Sequence, residues 1–350
     1  MNPAPYELLC RHPHLFNQGM AIIGTGAVLP PDWVQLMRQH QTRFLTWDWM
    51  THRQAQLLHI NSQFGTPLFD STETDIHTAI VLWPKSKDLG LLLVQQWISR
   101  AHRLWIVGAN DAGGKSIGNA CKRIGVQCSK EDAARHCSLW AAQAPSAQRL
   151  FSESANSAWM DKLKPFSANQ QEFVSLPGVF SYGQLDKGTA LLLDTLDQEL
   201  NKAPTEVLDL GCGTGVIGLS LKKRFEETAI TLADTDAIAL SSSRLNTERL
   251  FPKANEIHIT ASDRFSDISG RYQMIVTNPP FHTGVETDYR FAQDLFSKSK
   301  QHLKLNGQLW IVANRHLPYE EWALDYFDSK LVHIHKQASG FKVLQITASN

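Results

Sequence analysis

No apolar run in this chain approaches the ~20 residues needed to span a bilayer, and no basic segment leads into an apolar stretch at its start. A cytoplasmic protein without membrane association is expected. Cysteine is scarce: Cys10, Cys121, Cys128, Cys137 and Cys212 form an odd set with no CxxC pair. That argues for a reducing compartment and against a disulfide framework or a structural zinc site. The 14 histidines include no HExxH or similar ligand spacing, so no metal is expected. Charge excess is missing too, with 34 Lys+Arg against 34 Asp+Glu, which argues against a general nucleic-acid binder. The balance is uneven along the chain, with 16 basic against 12 acidic residues before Pro165 and 18 against 22 from there on. The first half could face an anionic partner, or the asymmetry could be that of two ordinary solvated surfaces.

What is present is a chain of 350 residues, 43% hydrophobic and 19% charged, a globular composition of a length that suggests two domains. Residues 141–172, rich in Ala, Ser, Gln and Asn, read as the linker, giving domains 1–165 and 166–350. Beyond it, "EVLDL" (206–210), "AITLAD" (229–234), "EIHITAS" (256–262), "YQMIVTN" (272–278) and "GQLWIVAN" (307–314) read as buried strands. Helical stretches such as "GVIGLSLKKRF" separate most of them, which implies βαβ units and a parallel sheet covered on both faces.

The first half echoes the second. "TAIVLWPKSK" (78–87) aligns with "QMIVTNPPFH" (273–282), and "LWIVGAN" (104–110) with "LWIVAN" (309–314). An internal duplication is expected, with Trp83, Pro84 and Lys85 standing where the second copy has Asn278, Pro279 and Pro280. The counterpart of "DLGCGTG" is expected at "RFLTWDWMTHRQAQLL", which has no glycine. One copy has kept chemistry and the other has not.

"VLDLGCGTGVIGLS" reads as a strand, a glycine loop and the start of a helix, where close backbone approach and free N–H groups can hold a ligand. Gly213, Gly215 and Gly218 match GxGxxG literally, but Asp209 near the strand end would repel a diphosphate. A carboxylate there suits an ammonium group. Asp234, ending the next strand, is placed to accept from both hydroxyls of a ribose. The pair fits S-adenosylmethionine, which has an amino group and a ribose but no phosphate.

"MIVTNPPFH" runs a strand directly into an asparagine and two prolines, a rigid extended exit. An exocyclic amine on a nucleobase is a poor nucleophile, and its two N–H groups need two acceptors. The side-chain oxygen of Asn278 can supply one and the carbonyl of Pro279 the other, while Pro280 brings no competing donor and Phe281 offers a face for a flipped base.

The glycine loop resembles the DxGxGxG motif of the class I methyltransferases. The resemblance implies that Asp209 orients the methionine end through the loop, that Gly211, Gly213 and Gly215 line the cofactor, that Asp234 holds the ribose, and that Asp263 in "ASDRF" sits by the adenine amine. NPPF-type motifs are shared by enzymes acting on adenine N6, guanine N2 and glutamine N5. "NPPFHTG", "LPGVFSYGQLDKGTALLL" (176–193), "GFKVLQI" (340–346) and the degenerate first copy together resemble the ribosomal RNA small-subunit methyltransferase C family. That resemblance implies two tandem Rossmann-like methyltransferase domains, the first degenerate and used for RNA recognition or support. It also implies methylation of guanine N2 in 16S rRNA by a monomer acting on the small subunit or its assembly intermediate. Asp186, Gly188 and Thr189 would approach the cofactor. The nearest rivals are a large-subunit guanine-N2 enzyme and, less closely, a release-factor glutamine methyltransferase. A nicotinamide oxidoreductase has no role for NPPF, and a non-catalytic scaffold would need a broken Asp209 or Asn278.

Overall fold

The computed structural model describes residues 4–26, 28–66, 76–143, 159–279 and 285–349. The chain divides into two compact units, Met1–Leu163 and Lys164–Asn350. Among the described residues no helix is long and apolar enough to cross a membrane.

The first unit contains α1 (Ala4–Cys10), β1 (Met20–Ile23), α2 (Pro31–Gln39), β2 (Arg43–Thr46), α3 (Trp49–Leu57), β3 (Ser62–Phe64), β4 (Ile76–Leu82), α4 (Lys87–Ile98), β5 (Ala101–Ala109), α5 (Ile117–Lys122), β6 (Gln127–Ala134) and β7 (Cys137–Gln143). The second opens with a hairpin, β8 (Lys164–Ala168) and β9 (Gln171–Ser175). It continues through α6 (Lys187–Glu199), β10 (Glu206–Leu210), α7 (Val216–Arg224), β11 (Ala229–Asp234), α8 (Ala237–Leu250), β12 (Ile257–Ala261), β13 (Tyr272–Thr277), α9 (Val285–His302), β14 (Leu303–Asn314), α10 (Tyr319–Ala323), β15 (Val332–Ala338) and β16 (Phe341–Thr347). The large sheets have matching orders, β3-β2-β1-β4-β5-β7-β6 and β12-β11-β10-β13-β14-β16-β15, so the duplication is visible strand by strand.

Each sheet is mixed, where a parallel one was expected. β16 runs antiparallel to both β14 and β15. The turn between β15 and β16 carries Ser339 (φ 53) and Gly340 (φ 84), a two-residue reversal that returns the chain alongside itself. The expected linker, 141–172, is also more structured than its composition suggested. Its first residues close β7 and its last belong to the β8–β9 hairpin, while 144–158 lie outside the described residues. Asn169 (φ 43) and Gln170 (φ 59) form that hairpin's turn, so amide-rich composition here is turn chemistry.

Strand registers correct the expected alignment of the two copies. Ile22 pairs with Phe44 and Ile80 in the first unit as Asp209 pairs with Leu232 and Val276 in the second. The counterpart of Asp209-Leu210-Gly211-Cys212-Gly213 is therefore Ile22-Ile23-Gly24-Thr25-Gly26, a glycine loop that the sequence alignment missed. The Gly24 N–H donates to Leu45 O at 3.0 Å, as the Gly211 N–H donates to Ala233 O at 2.8 Å. "RFLTWDW" corresponds instead to β11 and the turn after it, with Thr46 in the place of Asp234. The Asp48 N–H donates to Thr46 Oγ1 at 3.2 Å, and the Asp236 N–H to Asp234 Oδ1 at 3.0 Å. The same registers place Leu82, not Trp83, at the position of Asn278, and Trp83 at that of Pro279.

The first unit's loop has kept its glycines but lost its space. A Cβ on Gly24 would lie 2.4 Å from Leu82 Cβ, and one on Gly26 would lie 1.9 Å from the Tyr6 hydroxyl. Tyr6 is 2% exposed and packs edge-on against Trp33. In the second unit a Cβ on Gly211 or Gly213 would meet nothing within 4 Å. An aromatic side chain and a leucine fill the cleft that the second unit leaves open. Gly26→Ala must displace the buried Tyr6 ring, so it is expected to destabilise the first unit by about 1–3 kcal/mol, the usual scale of overpacking, as measured by denaturant unfolding.

Candidate active site

The site of the second unit lies at the carboxyl edge of β10, β11 and β13, where ligands bind in open α/β sheets. Asp209 belongs to the buried central strand, and its side chain turns back toward α7. Its Oδ2 accepts from the Gly218 N–H at 2.8 Å, one of the donors that a helix start leaves unpaired. Asp209 is 0% exposed, so it braces the loop from behind and does not offer an open carboxylate to an ammonium group. Its other oxygen, Oδ1, is buried without a partner among the described residues. Burial pushes its carboxyl up to about 7, the Gly218 N–H pulls the other way, and the charge of Asp234 adds to the rise.

The four loop glycines have two different jobs. Gly211 (φ 73) and Gly213 (φ 56) border open space, since a Cβ on either would meet nothing within 4 Å. Gly215 and Gly218 pack inward: a Cβ on Gly215 would lie 3.2 Å from Leu219, Leu232 and Ser243, and one on Gly218 2.5 Å from Leu232. Gly215 was expected to line a cofactor, but its place in the structure is a tight contact that lets α7 begin.

Two loop supports were not anticipated from sequence. Ser243 Oγ donates to Gly213 O at 2.8 Å, and Asn246 Nδ2 donates to Thr214 O at 2.9 Å. Asn246 also exchanges hydrogen bonds with the Val174 N–H and carbonyl, tying β9 to the loop. Both side chains are 0% exposed. The available signal was polar residues at helical spacing on the inward face of "DAIALSSSRLNTERL", where apolar ones belong.

Asp234 ends β11 half-buried, with Oδ2 accepting from the Gly213 N–H at 2.8 Å and Oδ1 from the Asp236 N–H at 3.0 Å. A carboxylate with two oxygens is an acceptor of the kind that suits a vicinal diol. The next strand is tied on by the Ser262 N–H, which donates to Asp234 O at 3.0 Å, and Asp263 follows directly. Asp263 pairs with Arg264 at 3.1 Å, and Arg264 pairs in turn with Asp294 at 3.0 Å. Asp263 is thus one member of a charge network that starts two residues past the end of β12.

The remaining residues meet at Asn278. Its Nδ2 donates to Asp186 Oδ2 at 2.9 Å and to Thr189 Oγ1 at 2.8 Å. An ionised carboxylate only accepts, so the amide nitrogen must face it and Oδ1 must face away. That Oδ1 is buried and has no partner among the described residues. Asp186 also caps α6 through the Thr189 N–H at 2.9 Å. Gly188 is buried between them, where a Cβ would lie 3.1 Å from both Asp186 Oδ2 and the Phe341 ring. Asp186, Gly188 and Thr189 were expected to approach a cofactor; in the structure they position Asn278. Pro279 is buried, and Pro280 and Phe281 lie outside the described residues. Among the described residues no group of three or more His, Cys, Asp or Glu could hold a metal ion.

A seven-stranded sheet of this order, with an acid-braced glycine loop on its central strand and a second acid on the next, defines a class I methyltransferase. Known proteins agree. The family model of the methyltransferase small domain matches residues 170–345, and that of the methyltransferase small domain N-terminal matches residues 6–160. The chain is 34% identical to ribosomal RNA small subunit methyltransferase C of Pseudomonas entomophila, over 97% of this chain and 98% of that one. It is 37% identical to the protein of that name in Pseudomonas fluorescens, over 90% of each chain. The chain belongs to the ribosomal RNA small subunit methyltransferase C family. A solved structure, T. thermophilus 16S rRNA N2 G1207 methyltransferase in complex with AdoMet and guanosine, shares the fold at a TM-score of 0.78 and 20% identity, covering 99% of this chain and 92% of that one.

The raised carboxyl of Asp209 has a pH signature. Between the ordinary carboxyl value of about 4 and about 7, the folded protein keeps a proton on Asp209 that the unfolded chain has released. Stability therefore falls as pH rises through that window and levels off above it. Relative to Asp209→Asn, which cannot ionise, the wild type is expected to lose roughly 3–4 kcal/mol between pH 4 and pH 8. Denaturant unfolding of both proteins across that range measures the difference.

Proposed function

We propose that the second unit transfers a methyl group from S-adenosylmethionine to the exocyclic N2 amine of a guanine in 16S rRNA. The observation that carries this reading is the oriented amide of Asn278: both N–H groups are held by Asp186 and Thr189, leaving one buried acceptor oxygen with no partner among the described residues. An acceptor with no accompanying donor suits an amine, which has hydrogens to give. The Pro279 carbonyl provides the second acceptor. Together they fix the amine so that its lone pair stands out of the ring plane, and orientation supplies most of the catalysis.

The cofactor fits the residues present. Gly211 and Gly213 border an open cradle, and Asp234 stands at its side with both oxygens anchored for a ribose. Asp263 is positioned for the adenine end. Bound there, S-adenosylmethionine supplies an electrophilic sulfonium methyl group. The choice of guanine N2 and of small-subunit rRNA follows the names of the relatives, since two acceptors serve other amines equally well. We assign the first unit, with its cleft filled, to RNA recognition or support. The substrate is the small subunit or an assembly intermediate in the cytoplasm, and the enzyme acts as a monomer.

Asn278→Ala is expected to lower kcat about 100-fold or more while leaving S-adenosylmethionine affinity unchanged by calorimetry. Turnover within threefold of wild type would remove Asn278 from the reaction. Modified-nucleoside analysis of the product should show N2-methylguanosine on small-subunit RNA, and a methyl group confined to large-subunit RNA would reassign the substrate. Asp234→Ala should weaken cofactor binding while saturating cofactor restores part of the rate, because the contact acts in the ground state as well as in the transition state. Unchanged calorimetric affinity would place the ribose elsewhere.

A further inference from the structure

Phe180 is 66% exposed, whereas every other tryptophan, tyrosine and phenylalanine among the described residues is buried or half-buried. A single exposed apolar side chain is ordinary on a protein surface. The segment that carries this one is not. Residues 176–186 join β9 to Asp186, the carboxylate that holds Asn278, and four of their backbone N–H groups are tied down. The Leu176 N–H donates to Ser242 Oγ at 3.2 Å, the Val179 N–H to Leu176 O at 3.3 Å, the Gly183 N–H to Ser175 Oγ at 2.8 Å and the Gln184 N–H to Ser181 O at 3.0 Å. Leu176 and Val179 are buried, and the ammonium of Lys164 lies 4.1 Å from the centre of the Tyr182 ring.

Three residues of the segment have positive φ: Gly178 (104°), Ser181 (55°) and Gly183 (76°). Ser181 adopts it without glycine's freedom, a local cost that persists only where surrounding contacts impose it and that is common at ligand sites. Val179 before it is buried and Ser181 after it is half-buried, while the Phe180 ring stands in water. A rigid mount matters for stacking, because the ring loses little freedom when a flat partner settles on it. The partner that suits an apolar ring six residues ahead of the carboxylate that holds Asn278, and two residues from the Tyr182 ring that Lys164 covers, is an unstacked base of a single-stranded nucleic acid.

We propose that Phe180 is a substrate-binding residue, a platform on which an unpaired base of the RNA stacks as the target amine reaches Asn278. This rests on the RNA-methylating reading above. Every base has a π-face, so Phe180 contributes affinity for the RNA and leaves the choice of amine to Asn278 and Pro279.

The test is steady-state methyl transfer to unmodified small ribosomal subunits at saturating cofactor, using the full chain. Phe180→Ala should raise KM for the RNA about 10-fold, the scale of one base–aromatic stack. It should leave kcat within about threefold and the calorimetric affinity for S-adenosylmethionine unchanged, and Phe180→Trp should restore KM. A KM for Phe180→Ala within twofold of wild type would overturn the proposal. So would a loss of cofactor affinity, or failure of Phe180→Trp to restore KM, since either would mark the ring as loop packing. Nucleoside analysis of the same product reports the amine separately: a methyl group on another base would overturn the guanine assignment while the KM ratio still decides the role of Phe180.

Discussion

The carboxylate of Asp186 is the point on which the site depends. It accepts at once from the Thr189 N–H, which starts α6, and from the Asn278 amide, which ends β13. One acidic group therefore joins elements that are 92 residues apart and decides which way the Asn278 amide faces. Without it the amide could turn over and present a donor where an acceptor is needed. The Phe341 ring pressed on Gly188 leaves no room for a side chain between the two residues that hold the amide. The short "GFKVLQI" strand thus acts on the site from behind, through packing.

The glycine loop is organised on the same principle. Asp209 takes the Gly218 N–H behind the loop and Asp234 takes the Gly213 N–H in front of it, so two carboxylates grip one turn from opposite sides. Ser243 and Asn246 hold its carbonyls. A loop that must expose backbone to a ligand cannot be stabilised by covering it, and here polar cross-braces from α8 substitute for burial.

Features set by neighbouring residues were legible in the sequence. The strand-to-glycine transition at "VLDLGCGTG" and the rigid exit at "VTNPP" carry their geometry locally, through positive φ and proline's fixed φ. The five parallel strands of the second unit were legible as apolar runs between helical stretches, whereas β15, β16 and the β8–β9 hairpin were not. Relations between distant segments were not legible. The cap in "LDKGTALLL" can be read as a helix start, but nothing in those letters says that its acid also holds Asn278. The first copy was aligned one residue out because "IVLWP" and "IVTNP" match by their shared Ile-Val and Pro, whereas strand register follows hydrogen bonds to β1 and β5. Its glycine loop was overlooked because "IIGTG" has no acid and runs into "AVLPP". The part of the candidate site at Pro280 and Phe281 rests on the sequence alone.

The filled cleft of the first unit gives the two copies different thermodynamic characters. Tyr6 and Leu82 are permanent occupants, covalently supplied, so that half carries its full complement of contacts in any solution. The second half shapes its cleft for a small molecule, and its folding equilibrium is tied to that molecule's free concentration, rising by about RT ln(1 + [L]/Kd). One gene duplication has thus produced a half whose stability is fixed in its own sequence beside a half whose stability follows the metabolic state of the cell.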